Sequence, residues 1–163
     1  MKWVSLPETC GIMERLIYVN KTLEKGLGIF AARDIRKDEI ISEFKGPRVK
    51  IERLEDLPQE VLEHLFNVGV DEYLVTFEPE VRTNHSCNPN AGIINDVQLI
   101  AMRGIKKNEE ITFDYSMIIA DEWVMECRCG TPECRKFIGK YRDLTAELKK
   151  KYENYSPGWI KNT

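Results

Sequence analysis

Apolar residues along this chain fall into short runs, each closed by glycine, proline or a cluster of polar residues. Runs of that length bounded by turn chemistry predict strands. Candidates are 15–19, 29–32, 40–45, 73–77, 91–95, 97–102 and 111–113. Glycine turns precede the second (Gly26-Leu27-Gly28) and close the third (Gly46-Pro47), and Asn95-Asp96 makes a tight turn between the fifth and sixth. Helical spacing occurs twice. A central helix is expected from near Pro58, capped by Asp56, with Val61, Leu62, Leu65 and Phe66 on its apolar stripe and His64 in solvent. A last helix is expected from Asp143, burying Leu144, Leu148 and Tyr152 and leaving Lys149-Lys150-Lys151 in water. Many short strands and few helices predict a β-rich α+β domain, and no internal repeat is evident.

At 163 residues the chain reads as one domain, with 42% hydrophobic residues to form its core. The net charge is −3, which argues against a general nucleic-acid backbone binder and tolerates a basic protein partner. No apolar run is long enough to cross a membrane, and the first residues are too polar for an export signal. Five cysteines, an odd number that includes a C-x-C pair, argue for reduced thiols in an intracellular setting.

Three of those cysteines form Cys127-x-Cys129-x4-Cys134, soft ligands at a spacing that suits tetrahedral zinc. Cys87 and Cys10 both remain open as a fourth ligand. Three further segments are rich in chemistry. Gly26-Leu27-Gly28 lets backbone approach a ligand, although the strand-like residues after it exclude a dinucleotide fingerprint. Asn84-His85-Ser86-Cys87-Asn88-Pro89-Asn90 is a polar loop between apolar runs, either an exposed turn or a knot whose polar groups are all satisfied. Thr112-Phe113-Asp114-Tyr115 places Phe113 and Tyr115 on one side of a strand, where they line a channel or pack in the core.

In this order, Lys25-Gly26-Leu27-Gly28-Ile29-Phe30-Ala31-Ala32, Glu43-Phe44-Lys45-Gly46, the Asn84–Asn90 loop, Glu109-Glu110-Ile111-Thr112-Phe113-Asp114-Tyr115 and the terminal cysteine motif resemble the SET-domain protein lysine methyltransferases with a post-SET zinc motif. The compact length resembles the small, stand-alone members found in microbes. The resemblance implies a SET fold of small curled sheets with a threaded, pseudoknot-like C-terminal segment. It implies a core over 15–116, a post-SET zinc segment over 117–140 and a helical tail over 141–163. It implies S-adenosylmethionine as methyl donor, held by Lys25, Gly26, Leu27, Gly28, Tyr73, Asn84, His85 and Tyr115, with Phe137 against the adenine. Tyr115 matches the family's catalytic tyrosine. Phe44, Phe113 and Tyr115 match its substrate channel, and Cys87, Cys127, Cys129 and Cys134 its structural zinc site. The implied activity is methyl transfer to a lysine of a protein substrate, such as a basic chromatin-type protein, in the cytoplasm or a nucleus. No direct nucleic-acid or membrane contact is implied. A catalytically silent, zinc-braced binding module is the alternative. Two departures stand out: Phe44 replaces a frequent tyrosine, and Arg82 is displaced from the usual run before Asn84.

Overall fold

The computed structural model describes residues 15–23 and 25–163. Cys10 lies outside the described residues, so its competition for the metal is not resolved by geometry. Among the described residues, twelve short strands form four small sheets. The strands are β1 (Ile17–Lys21), β2 (Leu27–Ala31), β3 (Ile40–Glu43), β4 (Arg48–Lys50), β5 (Leu65–Gly69), β6 (Glu72–Val75), β7 (Asn84–His85), β8 (Ala91–Ile94), β9 (Gln98–Ala101), β10 (Glu110–Phe113), β11 (Met125–Glu126) and β12 (Phe137–Ile138). Their orders are β1-β2-β10-β7, β3-β9-β8, β4-β6-β5 and β11-β12. None of the described helices is long and apolar enough to cross a membrane.

The core sits where the first two sheets meet. Ile29, Ala31, Ala91, Ile93, Leu99, Ala101, Ile111 and Met117 contribute to one buried cluster. Its isoleucines, Ile29, Ile93 and Ile111, are β-branched and suit side chains packed on pleated surfaces. The decisive pairing for function is β7 with β10. They run parallel, Thr112 opposite Asn84 and Phe113 opposite His85. This brings two loops far apart in sequence side by side, the juxtaposition that a threaded C-terminal segment requires.

The expected central helix is largely absent. α1 (Gln59–Leu62) is one turn, Pro58 rather than Asp56 occupies its cap position, and no side chain caps it. Leu65 and Phe66 belong to β5, where alternation buries Phe66 and Val68. A helix this short gains little from propagation, so strand pairing with β6 decides the segment. His64 is correspondingly half-buried, not solvated. Its Nδ1 lies 2.8 Å from the Thr76 carbonyl, and Thr76 N–H donates to the His64 carbonyl. The last helix, α2 (Ala146–Lys151), starts later than expected, with Thr145 capping Leu148 N–H. Tyr152 and Leu144 are buried as anticipated.

A repeat escapes the linear pattern. Arg33–Glu39 and Arg103–Glu109 form the same turn. In each, the arginine reaches the glutamate six residues on at 2.6 Å, and that glutamate also accepts a backbone N–H. Asp38 and Asn108 both take a left-handed φ, 64° and 66°. The two turns join through reciprocal backbone bonds between Ile35 and Ile105. The match lies in arginine, isoleucine, lysine and glutamate at fixed offsets; the other three positions differ, which hides it from inspection.

Candidate active site and metal centre

β7 ends in a knot rather than an exposed turn. Asn90, buried, donates to the Glu109 carboxylate and the Glu110 carbonyl and accepts from Thr112 N–H. Ser86 N–H donates to the Phe113 carbonyl. The loop is therefore sewn to β10 residue by residue, which is how buried polar groups must be settled.

Tyr115 follows β10 on a 3₁₀ turn, Tyr115–Met117, capped by the Asp114 carboxylate accepting from Ser116 N–H. Its backbone N–H donates to His85 Nδ1 at 3.2 Å, and its hydroxyl donates to the Thr83 carbonyl at 2.9 Å. The phenol is thus fixed at both ends by the loop opposite. Burial pushes its pKa upward, and the nearby Glu110 charge adds to that, so the phenol stays neutral. With its proton committed to Thr83, its oxygen is left as an acceptor.

A cavity of about 460 Å³ opens at this residue. Lys25, Leu27, Phe44, Tyr73, Asn84, Phe113 and Tyr115, all anticipated, line it. The Asn84 amide donates to the Leu27 carbonyl and to Glu110, which spends both of its N–H groups and turns its oxygen free. Lys25 pairs with the other Glu110 oxygen at 3.4 Å. A side chain at Gly28 would collide with Asn84 and Glu110, whereas one at Gly26 would meet nothing within 4 Å. The first glycine faces open space and the second permits packing. Neither lines the cavity, nor does His85. Phe137 is 65% exposed and lies outside the lining of this cavity.

Several lining residues escaped sequence reasoning. Phe66 stacks on Phe44 with ring centroids 4.0 Å apart, and both pack near Phe113 at 6.2 Å. Assigning Phe66 to a helix hid it; the alternation Phe66, Val68 was the available strand signal. Asp121, Trp123 and Met125 enter from the segment before the cysteines. The Tyr73 hydroxyl donates to Asp121 at 2.9 Å, tying β6 to that segment, and burial is the chief cause of its raised pKa.

Behind the loop lies the cysteine cluster. The ligand atoms of His85, Cys87, Cys127 and Cys129 all lie within 4.8 Å of one another. Cys134 packs against the same cluster, and its thiol is 3.4 Å from the Cys127 carbonyl. Burial pushes the Cys127 thiol up, and burial also opposes ionisation of Cys129, whose hydrogen bonds to Thr131 nevertheless bring it down to about 6. His85 is held neutral, pushed down to about 4 by burial against the opposing pull of Asp114. Because its Nδ1 accepts from Tyr115 N–H, its proton sits on Nε2, which lies 3.3 Å from Cys87 Sγ. A protonated Nε2 donates to a thiolate and does not ligate a metal, so the imidazole is a strut between Cys87 and Tyr115. Three cysteines plus Cys134 form a donor set of soft sulfur, compatible with zinc.

The SET domain family model matches residues 26–116, more than half of the chain. Histone-lysine N-methyltransferase trr of Drosophila melanogaster is 32% identical over 139 residues, which cover 75% of this chain and 6% of that protein. The H3 lysine-36 specific histone-lysine N-methyltransferase of Saccharomyces cerevisiae is 32% identical over 139 residues, covering 76% of this chain and 19% of that protein. Histone-lysine N-methyltransferase 2D of Homo sapiens is 30% identical over 138 residues, covering 75% of this chain and 2% of that protein. The chain thus spans less than a fifth of each of these curated relatives. A family match over β2 to Tyr115, together with a cavity that ends at that tyrosine, leads to one assignment: the chain belongs to the SET-domain family.

Proposed function

We propose that this protein transfers a methyl group from S-adenosylmethionine to the side-chain amine of a lysine in a protein substrate. The observation that carries this reading is Tyr115: a neutral phenol, clamped at its N–H and its hydroxyl, facing a cavity walled by Phe44, Phe66 and Phe113. The volume falls in the range of about 300–1,000 Å³ usual for small-molecule sites. When bound, the donor's sulfonium supplies an electrophilic methyl. Lys25, Leu27, Tyr73 and the free Asn84 oxygen line the cavity and are suited to hold it, and His85 supports the site from behind. The chain's own work is then alignment and dehydration. An aromatic wall disfavours the lysine ammonium and lowers its pKa, and it stabilises a methylated cation by cation–π attraction. The Tyr115 oxygen accepts weak C–H···O contacts from a methyl in transit.

Cys87, Cys127, Cys129 and Cys134 would hold a structural zinc, which takes no part in transfer and fixes the segment carrying Asp121, Trp123 and Met125. In this reading the core spans 15–116, the zinc segment 117–140 and the tail 141–163. The relatives' printed substrate class makes a basic chromatin-type protein the first candidate, and an intracellular site of action follows from it.

The test is transfer of labelled methyl from S-adenosylmethionine to core histones and to a panel of lysine peptides, with donor binding measured by calorimetry. Transfer to lysine with micromolar donor binding supports the reading. A silent module gives neither heat nor label, which would overturn it. Channel width makes a second prediction. Phe113 carries no hydroxyl, and Phe44 and Phe66 beside it are likewise apolar, so more than one methyl fits at the amine. Mass spectrometry should find di- or trimethyl product with the native chain and mainly monomethyl with Phe113→Tyr. Monomethyl product from both would count against it.

A further inference from the structure

We infer that Arg135 is a positioning residue for the transfer centre: through the Asp114 carboxylate it sets the turn that carries Tyr115, so metal loop and phenol are placed by one buried ion pair. The inference rests on the methyltransferase reading for its kinetic arm only.

Asp114 is fully buried and immediately precedes Tyr115. Arg135 Nη2 donates to one of its oxygens at 2.6 Å, and the Tyr152 hydroxyl donates to the other at 3.0 Å. The oxygen that Arg135 holds also accepts from Ser116 N–H at 3.1 Å and thereby caps the turn beginning at Tyr115. His85 Nδ1 lies 3.6 Å from the same oxygen. The donors come from three separate places: the turn itself, the cysteine loop and the tail. Arg135 directly follows Cys134, and its own backbone N–H points at Cys87 Sγ from 3.4 Å. It therefore faces the metal cluster with its main chain and the tyrosine turn with its side chain.

A buried carboxylate must keep its charge compensated or give it up. Without the Arg135 guanidinium, Asp114 retains only neutral donors. Rotation of its carboxyl then disturbs the cap on Ser116 N–H, and the turn that orients the phenol moves with it. The same lost contact frees the residue that follows Cys134. Disturbance at either end is thus felt at the other, a coupling through one contiguous set of contacts.

The experiment compares Arg135→Met, Arg135→Lys and Asp114→Asn with the native chain, each purified with zinc under reducing conditions. Zinc content, kcat, KM for donor and peptide, and the rate of zinc loss to a chromophoric chelator are measured. Ile93→Val, a core change that removes no hydrogen bond to Asp114, provides a control for stability loss alone. Arg135→Met should keep its zinc and both KM values within about twofold while kcat falls at least tenfold, and Arg135→Lys should recover part of that loss. Zinc should leave Asp114→Asn several-fold faster than the control at equal thermal stability, although Asp114 touches no cysteine. Native kcat in a folded, zinc-loaded Arg135→Met, or release no faster than the control, would overturn the inference. Should Arg135→Met fail to fold, Tyr152→Phe decides, since it removes one neutral hydrogen bond to the same carboxylate. A several-fold fall in kcat at constant KM supports the coupling, and native kcat overturns it. If the native chain transfers no methyl at all, the functional reading fails, and zinc release still decides the coupling.

Discussion

Replacing Tyr115 with phenylalanine should cost about a hundredfold or more in kcat, with donor affinity and thermal stability nearly unchanged. The hydroxyl makes one hydrogen bond, to the Thr83 carbonyl. Its loss leaves that carbonyl without its partner, a cost of about 1–3 kcal/mol if the site is dry. Water in the adjoining cavity reduces that penalty, so the fold should survive. The ring contacts to His85 and Phe113, 5.3 and 5.1 Å between centroids, do not depend on the oxygen. What the variant lacks is the one acceptor whose proton is already committed elsewhere and whose lone pairs face the reacting methyl. Because burial keeps the native phenol protonated, the native chain's kcat should show no step from phenolate formation up to pH 9. Stopped-turnover measurement of transfer, with calorimetry of donor binding in parallel, separates the two effects. A variant with native kcat would remove Tyr115 from the centre, and one that loses donor binding equally would make it a binding residue instead.

The legible part of this protein is the part whose function constrains residue identity. Asn84, His85, Cys87, Phe113 and Tyr115 stand in two short strings of fixed spacing, and the parallel β7–β10 pairing brings those strings together. Most strands were legible because each apolar run ends at a turn-forming residue. The central helix failed because Val61, Leu62, Leu65 and Phe66 fit helical spacing, and local spacing cannot weigh a partner strand; pairing with β6 decided it. Phe66 went unseen in consequence. Asp114 stands in a quoted motif, but Arg135 falls just past the last cysteine, and their pairing joins positions twenty-one residues apart and leaves no periodic trace. His85 raised a different difficulty. Its type and position suit a ligand of either donor or metal, and only the hydrogen bond from Tyr115 N–H assigns its tautomer.

Removing zinc should have the second large effect, and it should be local. β11 and β12 are two residues each, far below the length at which a hairpin stands alone. The loop between them is anchored by Cys127 N–H donating to the Lys136 carbonyl at 2.6 Å, by buried Ile138 and by the cysteine cluster against Cys87. Without a cation those crowded sulfurs cannot all ionise, and the cluster supplies only weak contacts in place of metal–thiolate bonds. The principal core draws on other residues: Ile29, Ile93, Leu99, Ile111 and Met117 are all fully buried away from the cysteines. The tail also keeps its own anchors, Tyr141 N–H to the Ile119 carbonyl and Tyr155 carbonyl to Ile93 N–H. One zinc per chain is therefore expected. Chelation, or Cys127→Ser, should abolish transfer by more than about a hundredfold, since the segment that carries Asp121, Trp123 and Met125 loses its support. Circular dichroism should change little, whereas limited proteolysis should open sites between residues 121 and 140 that the loaded protein protects. Adding zinc back under reducing conditions should restore both protection and activity to the chelated native chain but not to Cys127→Ser. A metal-free native chain that stays active and protease-resistant would sink the zinc assignment, and global unfolding on chelation would show that the main core depends on the cysteine loop after all.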